Sequence, residues 1–359
     1  FGTVREPVET AALDYLRKFY QFGWSWREVL KDRPSIIIPD DHDVFQGNLW
    51  GHGGRPIPKG GSQESGGYRM HPDWVKAVER TQTAHLPDAP DPDPVDQGIG
   101  VYFTYLYYAG IPFAVLEDRK FKSGPSAVLP KNRRNLTPAE LDVEGAELLG
   151  KRQEGFLNVF AEATRTSPVR FVFSQTIFCK AHTHNGQKLS ESHYDFDSNG
   201  WPKSGRDRAL RTLTNNPRTV MLHGDQHYGL LVRHGIDAHN DGPYAFMVPG
   251  TANGFPRAWW PKGPSAPPQT WTGDFEDPFG NKFSVLAAAN PEPGSNSLQP
   301  RGEDHPETTA HRKGSGHGLL VYDRRGKTVT FNLYRYDFDA ADPKESDQFP
   351  GFPQTIELE

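Results

Sequence analysis

The sequence predicts an α/β sandwich in which helices cover a β-sheet core. Two apolar runs, at 169–175 and 218–222, have the composition of buried strands, and each follows a segment with helical periodicity. Near the C-terminus, alternating apolar and polar residues on both sides of Arg325 and Gly326 predict a β-hairpin. Helices that alternate with strands and are followed by a meander are typical of a sheet with helices on its outside.

Composition restricts the class of protein further. The 359 residues are 35% apolar and 24% charged, which suits one large core and excludes collagen, coiled coils and disorder. No apolar run approaches the roughly 18 residues that a membrane-spanning helix needs. A net charge of -5 without a basic segment argues against nucleic-acid binding through phosphate contacts. The single cysteine, Cys179, excludes an intrachain disulfide.

The first hundred residues predict two helices, one strand and two loops. We expect a helix over 10–30 and a second helix over 72–86, which opens with Pro72. The first helix would bury one stripe, formed by Leu13, Leu16, Phe19 and Tyr20. The β-branched run at 35–38 predicts a strand buried on both faces. Gly-rich and Pro-rich composition predicts long loops at 50–68 and 87–96.

Later elements follow from capping signals and periodicity. Apolar runs at 101–108 and 111–117 predict two strands, and a capping box at Thr137 begins a helix. The segment 150–165 predicts a helix whose buried face holds Phe156, Val159, Phe160 and Ala163. Ser204 is expected to cap another helix before the strand at 218–222. From 249 to 317 the abundance of Pro, Gly and Asn predicts an insertion with little regular structure.

The strongest chemical signal is the acidic cluster that follows the run at 35–38. Asp40, Asp41, His42 and Asp43 occupy four consecutive positions. Ionisable groups this close repel one another or compete for protons unless cations neutralise them. The cluster is therefore either an exposed acidic turn or part of a metal site, and the buried strand before it favours the metal site.

A second cluster follows the strand at 218–222. Asp225 and His227 are two positions apart, so in an extended chain both would face the same side. Carboxylate and imidazole together suit iron, zinc or manganese. The alternative is a strand end stabilised by a hydrogen-bonded histidine. Because ligands bind beyond the carboxyl ends of strands in open sheets, two such clusters at two strand ends indicate one site.

Arg119 ends a third strand, and its planar guanidinium suits a phosphate, although an ordinary surface arginine is the simpler interpretation. His182, His184 and His193 match no metal-binding spacing and are assigned no role. A Walker phosphate loop, a Gly-x-Ser-x-Gly elbow and a Cys-x-x-Cys pair are all absent from the sequence. Eight tryptophans and abundant aspartate leave open a two-carboxylate glycoside hydrolase, which does not explain the GDQH motif.

The motifs DDHD, EDR and HGDQH, in this order, resemble those of the alkaline phosphatase D (PhoD-like) family of the calcineurin-like metallophosphoesterases. The resemblance implies a four-layer metallophosphoesterase sandwich with mixed β-sheets flanked by helices. It implies a single metallophosphatase domain over 1–359, with loop insertions near 50–70 and 250–317. It also predicts that the first strands and metal ligands of the family lie before Phe1, so that the chain is the C-terminal portion of that domain.

The resemblance also assigns roles within the motifs. Asp41, Asp225 and His227 would be metal ligands, His42 the catalytic histidine oriented by Asp43, and Arg119 a weaker candidate for binding substrate phosphate. Relatives imply iron and calcium, while zinc or manganese fit the residues nearly as well. The expected reaction is hydrolysis of phosphomonoesters or phosphodiesters by a metal-bound hydroxide, with small phosphoesters or cell-envelope phosphopolymers as substrates. A secreted or periplasmic location follows by analogy, and a non-catalytic metal- or carbohydrate-binding protein on the same scaffold is the alternative.

Overall fold

The structure is a computed structural model that describes residues 8–186, 188–251, 255–292, 314–336, 338–339 and 342–358. Its helices are short except for four, of which two cover the sheet and two lie in the N-terminal region. The helices are α1 (Val8–Ser25), α2 (Arg27–Leu30), α3 (Pro72–Thr83), α4 (Pro125–Val128), α5 (Pro138–Leu141), α6 (Gly150–Ala163) and α7 (Lys203–Leu213). None of the described helices is both long and apolar enough to cross a membrane.

Within the described ranges the strands form three sheets. They are β1 (Thr104–Tyr108), β2 (Ile111–Val115), β3 (Arg170–Phe173), β4 (His184–Asn185), β5 (Ser190–Glu191), β6 (Thr219–His223), β7 (Gly229–His234), β8 (Tyr244–Met247), β9 (Arg257–Ala258), β10 (Gly273–Glu276), β11 (Lys282–Ala289), β12 (Gly316–Asp323), β13 (Thr328–Arg335) and β14 (Gln354–Glu357). The central sheet has the order β1-β2-β3-β6-β8-β7-β11-β10, and the smaller sheets have the orders β12-β13-β14 and β5-β4-β9.

Four parallel strands form the middle of the central sheet. β2, β3, β6 and β8 run parallel, with Ala114, Val172, Met221 and Ala245 in register across them. Antiparallel pairing adds β1 at one side and β7, β11 and β10 at the other. Because parallel strands end at the same edge of a sheet, the segments after β2, β3 and β6 come together there.

The central sheet is covered on both faces. On one face its apolar side chains pack against Leu157 and Phe160 of α6 and Leu210 and Leu213 of α7. On the other face the sheet formed by β12, β13 and β14 packs against the central sheet. This sheet contributes Val329, Phe331 and Leu333 of β13, together with Ile356 of β14. The structure thus confirms the predicted α/β sandwich, built on a mixed sheet flanked by helices. The hairpin around Arg325 and Gly326 is also confirmed.

The N-terminal region differs from two predictions. Residues 35–38 are half-buried but pair with no strand among the described residues. The expected buried stripe of α1 is wrong for three of its four residues, since Leu13 and Tyr20 are each 68% exposed and Leu16 is 44% exposed, while Phe19 is partly buried as expected. Instead α1 packs through Ala11 and Tyr15, and the Tyr15 ring meets the edge of Trp74 from α3. Apolar residues at helical spacing occur on more than one face of α1, and the position of α3 decides which face is buried.

Other elements were shifted or missed. In α6 Val159 is 70% exposed, and Leu157 is buried in its place. Helix α7 begins two residues earlier than expected, after Pro202 instead of Ser204, and it has no side-chain cap. The segment 249–317 is more regular than predicted, because it contains β10 and the eight-residue buried strand β11 of the central sheet. The rest of that prediction, over 293–313, lies outside the described residues.

Candidate metal centre

The candidate site lies at the carboxyl edge of the parallel strands. Glu117 to Arg119 follow β2, Ser174 to Thr176 follow β3, and Gly224 to His227 follow β6. Gln175 ties these segments together: its side-chain oxygen accepts from the Asp118 backbone N–H at 3.0 Å, and its backbone oxygen accepts from Gly224 N–H at 2.9 Å. Gln175 Nε2 also donates to the Pro39 carbonyl at 2.8 Å, which places the acidic segment across the strand ends.

Three carboxylates converge at this edge. Asp40, Asp41 and Asp225 each offer one oxygen, and the three oxygens lie within 4.8 Å of one another. Asp41 and Asp225 were predicted as ligands, whereas Asp40 was not assigned a role. Its signal in the sequence is its place in the acidic cluster formed by residues 40–43. Carboxylate oxygens at this spacing are a donor set for a divalent cation.

Arg119 lies between these carboxylates. Its side chain is 1% exposed, and Nη2 is 3.0 Å from Asp40 Oδ1 and 3.1 Å from Asp225 Oδ2. Nη1 donates to Asp197 Oδ1, on a loop that the sequence interpretation did not connect with the site. Four carboxyl groups, those of Asp197, Asp40, Asp225 and Asp41, therefore act on one guanidinium and raise its pKa against the opposing effect of burial. When ionised, these four carboxyl groups carry more negative charge than the single positive charge of Arg119 neutralises.

Asp118 and Lys122 fix the loop that carries Asp197. Asp118 Oδ2 accepts from Ser174 Oγ at 2.6 Å, from the Thr176 backbone N–H at 2.9 Å and from Asn199 Nδ2. Lys122 Nζ donates to the carbonyls of Asp197 and Ser198 and to Asn199 Oδ1. Burial lowers the pKa of Lys122 to about 8. These buried polar groups after β2 and β3 hold the Asp197 loop against the strand ends.

Burial dominates the electrostatics of the acidic groups. It raises the pKa of Asp41 to about 7 and that of Asp197 to about 6, although Arg119 opposes both shifts. Asp225 shifts the other way, because the attraction of Arg119 and Arg257 outweighs burial and lowers its pKa. Asp118 Oδ1 and Asp197 Oδ2 are buried and accept no hydrogen bond from the described residues, whereas Asp40 Oδ1 lies 3.0 Å from Arg119 Nη2 in an ion pair. Buried oxygens without donors beside excess negative charge fit a bound cation.

Two of the three histidines in the motifs, His42 and His227, lie at the rim of the cluster and interact electrostatically with Asp225, while the third, His223, is buried at the end of β6. The His227 ring nitrogen Nδ1 is 2.5 Å from the Phe255 carbonyl oxygen, and burial lowers the pKa of His227 to about 4. His42 is exposed at the start of a short 3₁₀ turn, where Asp41 Oδ1 accepts from its backbone N–H at 2.7 Å. Burial also lowers the pKa of His42, against the charges of Asp225 and Asp43. Asp43 Oδ2 accepts from the backbone N–H of Asp40 at 2.9 Å.

The structure thus brings Asp41, Arg119 and Asp225 into one cluster, with His42 and His227 electrostatically linked to Asp225. Sequence reasoning assigned Asp40 and Asp118 no individual role, and it did not connect Asp197 with the site at all. Asp118 had a signal, because it precedes Arg119 at a strand end. The functional roles predicted for His42, Asp43, Arg119 and the metal ligands stay predictions.

Buried carboxylates beyond parallel strands occupy the position where open α/β sheets commonly bind ligands, and their oxygens are donors of the kind that suits a divalent cation. A family model described as PhoD-like phosphatase matches residues 6–248, more than half of the chain. The chain belongs to the PhoD-like phosphatase family.

A solved structure titled "Structure of PhoD" is similar at 21% sequence identity and a TM-score of 0.39. The match covers 58% of this chain and 38% of that chain, so this chain spans well under half of the length of the solved protein. No curated protein matches the chain.

Proposed function

We propose that this chain carries the metal site of a phosphoesterase that hydrolyses phosphomonoesters or phosphodiesters. The observation that supports the proposal is the convergence of Asp40, Asp41 and Asp225 within 4.8 Å at the strand ends, in a chain of the PhoD-like phosphatase family. Phosphate esters are anionic, so an acidic site would repel them unless a cation intervened. A metal ion reconciles the acidic residues with an anionic substrate.

The proposed ligands are Asp40, Asp41, Asp225 and His227. Asp40 is added to the predicted set because its carboxylate lies within the same cluster. The Phe255 carbonyl can only accept a hydrogen bond, so Nδ1 of His227 carries the proton and Nε2 is the atom that would bind metal. Three carboxylates with one imidazole suit manganese, iron or zinc, and carboxylates alone suit calcium.

Protonation and metal binding are coupled at this site. Because burial raises the pKa of Asp41 to about 7, part of the metal-free protein holds a proton on this carboxyl group at neutral pH. A cation displaces such a proton when it binds, so metal affinity should increase as pH rises through this range.

When bound, the metal would supply Lewis acidity and activate a water molecule as the nucleophile. His42 is the proposed general acid for the leaving oxygen, since its exposed position at the rim of the cluster allows contact with substrate. Asp43 is proposed to orient it from the same turn. Arg119 is proposed to add positive charge beside the phosphate, although its buried guanidinium is held by Asp40, Asp197 and Asp225.

The test is metal binding combined with hydrolysis of p-nitrophenyl phosphate and bis-p-nitrophenyl phosphate. We expect the wild-type chain to bind Mn²⁺ and to hydrolyse at least one of the two esters, and Asp225→Ala to lose both properties. Asp237→Ala is the matched control, because Asp237 is 73% exposed and pairs with Arg211 on the surface. An Asp225→Ala variant that retains wild-type Mn²⁺ affinity would overturn the metal site. Mn²⁺ binding without hydrolysis of either ester would favour the non-catalytic alternative.

A further inference from the structure

A buried histidine outside the cluster is connected to Asp225 through one glutamine. His182 precedes β4, and its side chain is fully buried. Its Nδ1 is 3.2 Å from Gln226 Oε1, and Gln226 Nε2 donates to Asp225 Oδ2 at 2.7 Å. The Asp195 carboxylate is also near His182 Nδ1, but at 3.7 Å it is too far for a hydrogen bond.

The acceptors determine the direction of this chain of hydrogen bonds. The ionised Asp225 carboxylate can only accept, so the amide nitrogen of Gln226 faces it and the amide oxygen faces His182. That oxygen can only accept, so His182 Nδ1 carries the proton. The other ring nitrogen, Nε2, is then an acceptor and lies 3.4 Å from Ser192 Oγ. Burial lowers the pKa of His182 to about 3, in agreement with a neutral ring of this tautomer.

The network ends on one oxygen of Asp225. Oδ2 accepts from Gln226 Nε2 at 2.7 Å and from Thr176 Oγ1 at 3.0 Å, and it lies 3.1 Å from Arg119 Nη2. Two hydrogen-bond donors and the Arg119 guanidinium on one oxygen fix the rotation of the Asp225 carboxylate.

The backbone around Gln226 is strained in a way that requires support. Asp225 and His227 have φ values of 64° and 65°, in the left-handed region that non-glycine residues seldom adopt. Such a conformation is unfavourable for residues other than glycine and persists only where neighbouring contacts hold it. Gln226, between the two, is 1% exposed, and its side chain is held at both ends by Asp225 and His182.

We propose that His182 and Gln226 are positioning residues that orient the Asp225 carboxylate for metal binding. The inference rests on the proposed function, since it takes Asp225 as a ligand. Groups that orient a ligand from outside the coordination shell commonly change metal affinity by about 10- to 100-fold when they are removed.

The test measures Mn²⁺ affinity of the full chain by titration with electron paramagnetic resonance detection of free Mn²⁺. His182→Leu removes the donor at similar size, and Gln226→Met removes the bridge; both should bind Mn²⁺ about 10- to 100-fold more weakly. In His182→Asn the amide nitrogen replaces Nδ1 as donor, so affinity should stay close to that of wild type. His234→Leu is the matched control, because it removes another fully buried imidazole, at the end of β7. Circular dichroism and thermal melting show whether each variant is folded.

The outcomes separate the two proposals. If Asp225→Ala loses Mn²⁺ while folded His182→Leu and Gln226→Met bind it like wild type, the positioning role is overturned and the metal site stands. If His182→Asn is as weak as His182→Leu, the hydrogen bond from position 182 is not what matters, and the inference also fails. If wild type itself binds no Mn²⁺, the proposed metal site fails.

Discussion

Replacement of Arg119 by methionine should strongly destabilise the metal-free protein. The substitution keeps a long unbranched side chain and removes the only guanidinium that contacts Asp40, Asp197 and Asp225 together among the described residues. Asp197 is as buried as Arg119, at 1% side-chain exposure, and Asp225 is 6% exposed. These carboxylates cannot recover the lost interaction from water, so the variant leaves buried charge uncompensated.

The expected loss is about 3–5 kcal/mol in the free energy of unfolding, the cost of removing one partner from a buried ion pair. Total stabilities of about 5–15 kcal/mol make this a large fraction of the whole. Urea unfolding with a chelator present, followed by tryptophan fluorescence, measures the difference. Mn²⁺ should restore part of it, because a divalent cation would neutralise the same carboxylates.

Arg208→Met is the control for this experiment. Arg208 pairs with Glu154 at 2.8 Å, but its side chain is 52% exposed, so we expect a loss below about 1 kcal/mol. If Arg119→Met costs no more than Arg208→Met, the carboxylates do not depend on Arg119 for their charge balance. The description of the cluster as an excess of buried negative charge would then be wrong.

Three other perturbations test separate parts of the structure. Burial, with Arg206 nearby, lowers the pKa of His234 well below its ordinary value. The neutral ring therefore contributes to stability above the unfolded-state pKa of about 6.5, and this contribution is lost as pH falls below that value. We therefore expect the unfolding free energy of wild type, less that of His234→Leu, to fall by about 2 kcal/mol between about pH 7.5 and pH 5. A difference that does not change with pH would contradict the buried neutral ring. Trp201 is fully buried and donates through Nε1 to the Leu141 carbonyl at 2.9 Å, so Trp201→Ala should cost about 3–5 kcal/mol in urea unfolding, and a loss near zero would contradict this packing. Mn²⁺ at about 100 times its dissociation constant should raise the unfolding free energy by about 2.7 kcal/mol in wild type and not in Asp225→Ala, and equal gains in both would place the ion elsewhere.

Local sequence patterns predicted the interior of the fold better than its periphery. Strands β3 and β6 were evident because parallel strands covered on both faces need continuous apolar runs. The run at 35–38 has the same composition but no strand beside it among the described residues, and pairing is a non-local property that composition does not contain. Strand β11 was not predicted because its apolar residues lie within a segment rich in turn-forming residues.

The residues of the candidate site could likewise be predicted only in part. Asp41, Arg119 and Asp225 could be predicted because each follows a strand or an apolar run, and the ends of parallel strands meet at one edge. Asp197 and His182 come from connecting segments, where no periodicity indicates the direction of a side chain. What distinguishes them is burial: Asp197 is 1% exposed and His182 is also 1% exposed, far from the usual exposure of charged and polar residues in loops. Burial depends on the whole chain, so polar residues in loops become candidates for function only once the fold is known. The cost of burying them without compensation then explains why each has a partner: Asp197 has Arg119, and His182 has Gln226.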